Sequence, residues 1–291
     1  MSWHDYDEKL IRRGELILDL GFVRNYQAEL DAMNRGKEGK PFRLTNSYVK
    51  FLAVVRYLYG MPYRQLEGFT RALGRIVGVP SGDYTSLRKR VLEMDMGPFE
   101  GLAPSEEPLT IALDSTGVRV LKAGGWMERQ HGVKKKYLKV HFAVSVRTKE
   151  VVAMEVTTDE RHDSTVAERL VEEAERNAGG PVREVLGDGA YDSARIYEFL
   201  KGKGIGAVIK PRKNSVLNTR SDARRQEVDL YRSLGHQKWA EKKGYGRRWS
   251  VETAYSTFKR AFGECVMAKT MASAARELAA KAAIYNMLVR M

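Results

Sequence analysis

The chain has 291 residues, 43% hydrophobic and 30% charged, which is a folded composition and not a disordered one. Fifty Lys and Arg against 37 Asp and Glu give a formal charge of +13, which points to a polyanionic partner, nucleic acid before a membrane surface. The single cysteine, Cys265, excludes an intramolecular disulfide framework and a cysteine zinc site; no run of about 18 apolar residues is present to span a bilayer, and the polar, acidic start is unlike a signal peptide. These features predict a protein of a reducing, cytoplasmic compartment with no membrane partner.

The first hundred residues read as helical. Leu10, Leu16, Ile17 and Leu20 recur at roughly helical spacing over residues 6–20, and residues 36–41 form a loop. Asn46 or Ser47 is placed to cap a helix through Tyr59, with Phe51, Leu52, Val55 and Leu58 on one face. Gly60-Met61-Pro62 breaks it. Helices over residues 63–73 and 84–94 follow, separated by the turn Val79-Pro80-Ser81-Gly82. The last carries Arg88, Lys89 and Arg90. This order predicts a helix-turn-helix DNA-binding segment over about residues 45–95, with that helix in a major groove; a plain three-helix bundle with a solvated basic face fits the same pattern.

After residue 103 the pattern changes to strands. Residues 109–120, 137–146 and 151–157 predict a meander, with a tight hairpin near Glu150. Ser164 is placed to cap a helix through Asn177; a strand over 182–186, a helix over 193–201 and a strand over 205–209 follow. Residues 211–245 read as irregular and basic, and helices over 247–262 and 274–291 close the chain. The prediction is an all-α region over 1–103 and an α/β domain over 104–291, with a mixed five-stranded sheet flanked by helices. The charge is uneven. Residues 1–107 and 108–205 each hold 16 basic and 15 acidic residues, whereas residues 206–291 hold 18 and 7.

Two acids directly follow apolar strands: Asp114 after Leu109–Leu113 and Asp188 after the strand over 182–186. Sites in open α/β sheets gather beyond the carboxyl ends of strands. An acid there is costly unless paired, hydrogen-bonded or metal-bound, although either alone fits a turn or a cap. Asp192 competes with Asp188, and reads better as the cap of the following helix. A third acid, Glu252, shares a helical stripe with Arg248, Tyr255, Ser256 and Lys259, a pattern that an ordinary salt-bridge ladder also produces. The five histidines show no metal-ligand spacing, no nucleotide-binding motif is present, and Cys265 reads as a buried small hydrophobe.

Asp114, Asp188 and Glu252 on this strand order resemble the acidic triad of the DDE transposases. Tyr245, Arg248, Glu252 and Lys259 match, in all four positions and all three gaps, the Y-R-E-K signature of insertion-sequence transposases. The stretches Ser2–Tyr6, Trp126–Gly132, His162-Asp163-Ser164 and Asp188–Ser193 resemble the same family. The resemblance implies a ribonuclease-H-like catalytic domain and metal-dependent DNA cleavage and strand transfer. It implies two Mg²⁺ ions, with Mn²⁺ as substitute, held by the three acids, Asp114 bridging. It further implies binding of the element's terminal repeats in duplex DNA, and a dimer or higher multimer in a synaptic complex. Arg248 and Lys259 would meet phosphates; Tyr245 and Trp249 are candidates to stack on an unpaired base, although Trp249 fits a core position equally well. Glu252 follows Asp188 by only 64 positions, which leaves no room for the large β-rich insertion of some relatives. A transposase-derived DNA-binding protein without catalysis and a junction resolvase of the same fold are the other readings.

Overall fold

A computed structural model of the chain describes residues 3–102, 108–121 and 137–291. Ser2, the stretch Trp126–Gly132 with His131, and the proposed boundary at residues 103–104 lie outside the described residues. The contacts divide the chain into two compact units. The first runs to Pro98 and includes Met271–Val289; the second covers Phe99–Thr270 with Arg290. The sequence predicts a second domain that runs to residue 291; the contacts instead group Met271–Val289 of the C-terminal helix with the N-terminal helices.

The first unit is all-α: α1 Trp3–Glu15, α2 Tyr26–Asn34, α3 Asn46–Leu58, α4 Tyr63–Val77 and α5 Tyr84–Glu93, with the C-terminal helix. Helix α3 is its core, with Tyr48, Val49, Leu52 and Ala53 fully buried and Phe22 stacked on Tyr48 at 4.7 Å between centroids. Thr45 caps α3, accepting the Tyr48 N–H; the cap falls one residue before the expected Asn46 or Ser47. Helix α4 ends at Gly78, whose φ of 74° suits a residue without a Cβ. The Asp83 carboxylate accepts the N–H groups of Thr85 and Ser86 at 3.0 Å each and so starts α5.

The second unit is a mixed sheet flanked by helices. In chain order it holds β1 Leu109–Val120, β2 Tyr137–Ser145, β3 Val151–Thr158, α6 Ala167–Ala178, β4 Val182–Gly187, α7 Ala194–Gly202, β5 Gly206–Ile209, α8 Asp222–Lys243, α9 Trp249–Phe262 and β6 Cys265–Val266. The strand order is β3-β2-β1-β4-β5, with β2 antiparallel to β1 and β4 and β5 parallel to it. This is the ribonuclease-H-like arrangement. A sixth strand, β6, pairs with the far end of β1; two residues are too few to leave a periodicity in sequence.

Alternation along β1 sets the two faces. Leu109, Ile111 and Leu113 point into a core with α6 and α7, made with Leu170, Val171, Ile196 and Leu200. Asp114 and its register partner Phe142 take the opposite face, where Phe142 stacks on Tyr255 at 4.8 Å and meets Phe258 edge-on at 5.3 Å, both from α9. Helix α9 thus covers the face that presents Asp114.

Three local expectations change. Helix α6 begins at Ala167, after a 3-10 turn over Asp163–Thr165, and not at Ser164. Residues 211–220 are irregular as expected, but 222–243 are not: Ser221 caps the 22-residue α8. The helix escaped notice because Gly235 kinks it (φ 74°, ψ 166°) and few of its residues are buried, Val228 and Trp239 among them. Cys265 is partly exposed rather than buried. Between Asp188 and Glu252 the chain holds α7, β5 and α8, all within the described residues, and no inserted β-domain.

Candidate active site

Asp114 sits within β1, its carboxylate 23% exposed and accepting the Ser115 N–H at 2.8 Å. Asp188 follows β4 in extended backbone and accepts the Ala190 N–H at 2.8 Å, which caps the short turn Gly189–Tyr191. Asp114 is therefore mid-strand and not at a strand end as its apolar run suggests, and the adjacent parallel β4 ends beside it, with Ala112 paired to Leu186. Glu252 lies in the first turn of α9.

One guanidinium links two of the three acids. Arg248 bonds the Glu252 carboxylate, and its Nη1 lies 3.6 Å from Asp114 Oδ2. Its side chain is only 17% exposed, so the charges meet in a partly dry environment. Burial pushes the Asp114 carboxyl up to about 6; the Ser115 N–H and Arg248 oppose the rise, and the negative charges of Asp188 and Glu252 add to it. All three acids therefore share one electrostatic field.

The donor set is three carboxylates, hard oxygens of the kind a small divalent cation takes. Among the described residues no three acidic, histidine or cysteine side chains stand close enough to hold one ion together. Arg248 supplies the positive charge that faces Asp114 and bonds Glu252. The donor chemistry of the three carboxylates suits a divalent ion.

Two family models, both described as the transposase DDE domain, match this chain, one over residues 105–287 and the other over residues 11–123. The chain belongs to the DDE transposases. Members of this family are enzymes of DNA cleavage and strand transfer and generally use divalent metal ions. The chain is also similar to a piggyBac transposase solved by cryo-EM as a synaptic complex with hairpin DNA, at 13% identity and a TM-score of 0.42, over 96% of this chain and 74% of that one.

The other expected site residues of this transposase divide by environment. Trp249 is not in the core: it is 71% exposed. Tyr245 is packed, with Trp239 at 5.1 Å, His236 at 6.4 Å and the Arg248 guanidinium 5.7 Å from its ring centre. Lys259 pairs with Glu264 at 3.3 Å. Tyr255, expected on the same stripe as Glu252, is instead buried against the sheet. In the first unit Arg88 and Lys89 are exposed, whereas Arg90 bonds Asn46 Oδ1 at 2.8 Å and stacks over Phe42.

Asp192 is not the cap of α7; Ser193 is, accepting the Ile196 N–H. The Asp192 carboxylate is fully buried and takes Arg224 Nε at 2.6 Å, Arg224 Nη2 at 3.0 Å, the Arg212 N–H at 3.0 Å and the Ser215 hydroxyl. Burial raises its pKa, and these donors outweigh burial, so the carboxyl stays below its ordinary value. Arg212 also reaches Gly189 O at 2.6 Å and Ala190 O at 3.2 Å. The turn that bears Asp188 is thereby clamped from α8 and the loop before it. Sequence reading missed this clamp because its partners lie 20 to 32 residues apart. It also missed a buried cluster in which His141 Nε2 bonds Thr157 at 2.8 Å and Asp163 pairs with Lys139 at 2.9 Å.

Proposed function

We propose that this chain is the transposase of a prokaryotic insertion sequence, binding its element's terminal inverted repeats and cutting and joining DNA at Asp114, Asp188 and Glu252. The observation that carries the reading is Arg248 spanning Asp114 and Glu252 beside the end of β4, within a Y-R-E-K spacing that runs from Tyr245 to Lys259. The three carboxylates would hold Mg²⁺, or Mn²⁺ in its place, as two ions. Such ions lower the pKa of water and screen charge on a phosphodiester.

The protein's own groups do the positioning. The Ser115 and Ala190 N–H groups fix the Asp114 and Asp188 carboxylates in orientation. Arg248 holds Glu252 until DNA arrives, and a phosphate then offers it a bidentate partner. Trp249, exposed beside it, offers a face to a base next to the cut. The basic surface of residues 206–291 attracts the duplex, and Lys259 adds a phosphate contact. The first unit, with α5 as reading helix through Arg88 and Lys89, recognises the repeat, and the working form is a dimer or higher multimer on paired ends. The setting is a prokaryotic cytoplasm, on the nucleoid. The test incubates the protein with Mg²⁺ or Mn²⁺ and DNA bearing the sequences that flank its gene. End cleavage followed by joining of the 3′ ends to target DNA supports the reading; cutting without joining favours a nuclease of the same fold, and binding without cutting a non-catalytic derivative.

A further inference from the structure

The loop between α2 and α3 is built rather than slack. The Asn34 side chain bridges Phe42 in both directions, accepting its N–H at 2.7 Å and donating to its carbonyl at 3.0 Å. The Tyr26 hydroxyl donates to the Arg43 carbonyl at 2.7 Å. The anchored loop forms one wall of a cleft of about 740 Å³ whose other walls are α4, through Glu67 and Arg71, and α5 with the end of the turn before it. Six cations line it: Lys37, Lys40, Arg43, Arg71, Lys89 and Arg90.

Three carboxylates line it too, and two are spoken for. Glu67 pairs with Arg71 and accepts the Tyr84 N–H, and Asp83 caps α5. Lys40, Arg43 and Lys89 are exposed and make no ion pair with a described residue. Lys37 and Arg90 each lie over the Phe42 ring, at 5.0 and 4.6 Å from its centre, which holds their charges at the cleft. Residues 1–107 are nearly neutral as a whole, so this excess of positive charge is local. Uncompensated cations on a fixed loop match a phosphate backbone, whose charges recur and whose contacts need no base identity.

We infer that this cleft is a phosphate-backbone site for duplex DNA, with Lys37, Lys40 and Arg43 as its anchors. The inference rests on the reading of residues 45–95 as a DNA-binding segment, and it adds a wall that the segment lacks. These contacts fix register on the duplex, while Arg88, outside the cleft, is left to meet base edges.

The test uses the full chain and a DNA duplex of arbitrary sequence, with affinity followed between about 50 and 200 mM salt. The triple variant Lys37→Gln, Lys40→Gln, Arg43→Gln should show a log–log salt dependence shallower by about 2 to 3 than the unaltered protein. Its melting temperature should be unchanged, since the Asn34 and Tyr26 bonds go to the loop backbone. The pair Arg183→Gln and Lys201→Gln, exposed in the second unit, should change the slope less. An unchanged slope in the triple variant overturns the cleft, whatever helix α5 does. If the slope falls as expected but Arg88→Ala weakens binding to the flanking DNA no more than to arbitrary duplex, the reading helix is wrong and the cleft stands.

Discussion

The hydroxyl of Tyr255 stands 2.8 Å from the main-chain oxygen of Asp114 and accepts the N–H of Phe142 at 3.0 Å, the two residues that face each other across β1 and β2. One side chain of α9 therefore reaches between the strands at the register position of the first acid, three residues after Glu252 on the same helix. The distance between strand and helix is set at this point. Tyr255→Phe keeps the ring stack on Phe142 and removes only the hydroxyl. Stability should fall by about 1 to 3 kcal/mol, because the hydroxyl serves more than one buried backbone group. Turnover should fall about tenfold to a hundredfold, because small displacements between reacting groups are costly, with KM for DNA little changed. Thermal melting and single-turnover cleavage check this; an activity loss that only follows the folded fraction contradicts it.

The Asp192–Arg224 pair supports the turn that carries Asp188. Removing one partner leaves a buried charge, so Asp192→Ala should destabilise the protein by about 3 kcal/mol or more in urea unfolding. Adding Arg224→Met should restore part of that loss. A change below about 1 kcal/mol would show that water replaces the carboxylate freely.

Asp83 gives a pH dependence in the first unit. Hydrogen bonds from Ser86 and then Thr85 lower its pKa to about 2, below the roughly 3.9 of an unfolded aspartate. Its folded pKa is depressed, so its contribution is complete above pH about 4 and disappears as the pH falls toward about 2. Asp83→Ala should cost about 1 kcal/mol at neutral pH, with the difference from the unaltered protein vanishing near pH 2. Equal differences at both pH values would remove the carboxylate from the cap.

Trp249 is exposed enough to be replaced at little cost to the fold. Trp249→Ala should leave stability within about 0.5 kcal/mol. Binding to DNA with an unpaired base beside the cut should weaken by about 1 to 3 kcal/mol, and binding to intact duplex much less. Fluorescence titration with the two DNAs separates these outcomes.

The strands and the acids were legible because each signal is local. Leu109–Leu113 is an unbroken apolar run before Asp114, and β4 gives the same signal before Asp188. The Y-R-E-K spacing spans only two helical elements. The clamp on Asp188 and the wedge of Tyr255 were not legible, since their partners meet only after the sheet has formed. Tyr255 illustrates the reason: helical spacing places it one turn from Glu252 but does not say which stripe faces the sheet. Helix α8 was hidden by its own charge and by Gly235, and Trp249 had no neighbouring signal to decide between core and surface.

Cleavage of DNA bearing the flanking sequences by Asp114→Asn, Asp188→Asn and Glu252→Gln, measured with Mg²⁺ and with Mn²⁺, tests the assigned site most directly. Each variant should bind the DNA as tightly as the unaltered protein and give no cleaved or joined product with either ion. Full cleavage by any one of the three would remove that residue from the site, and full cleavage by Glu252→Gln would leave the Y-R-E-K helix without its acid.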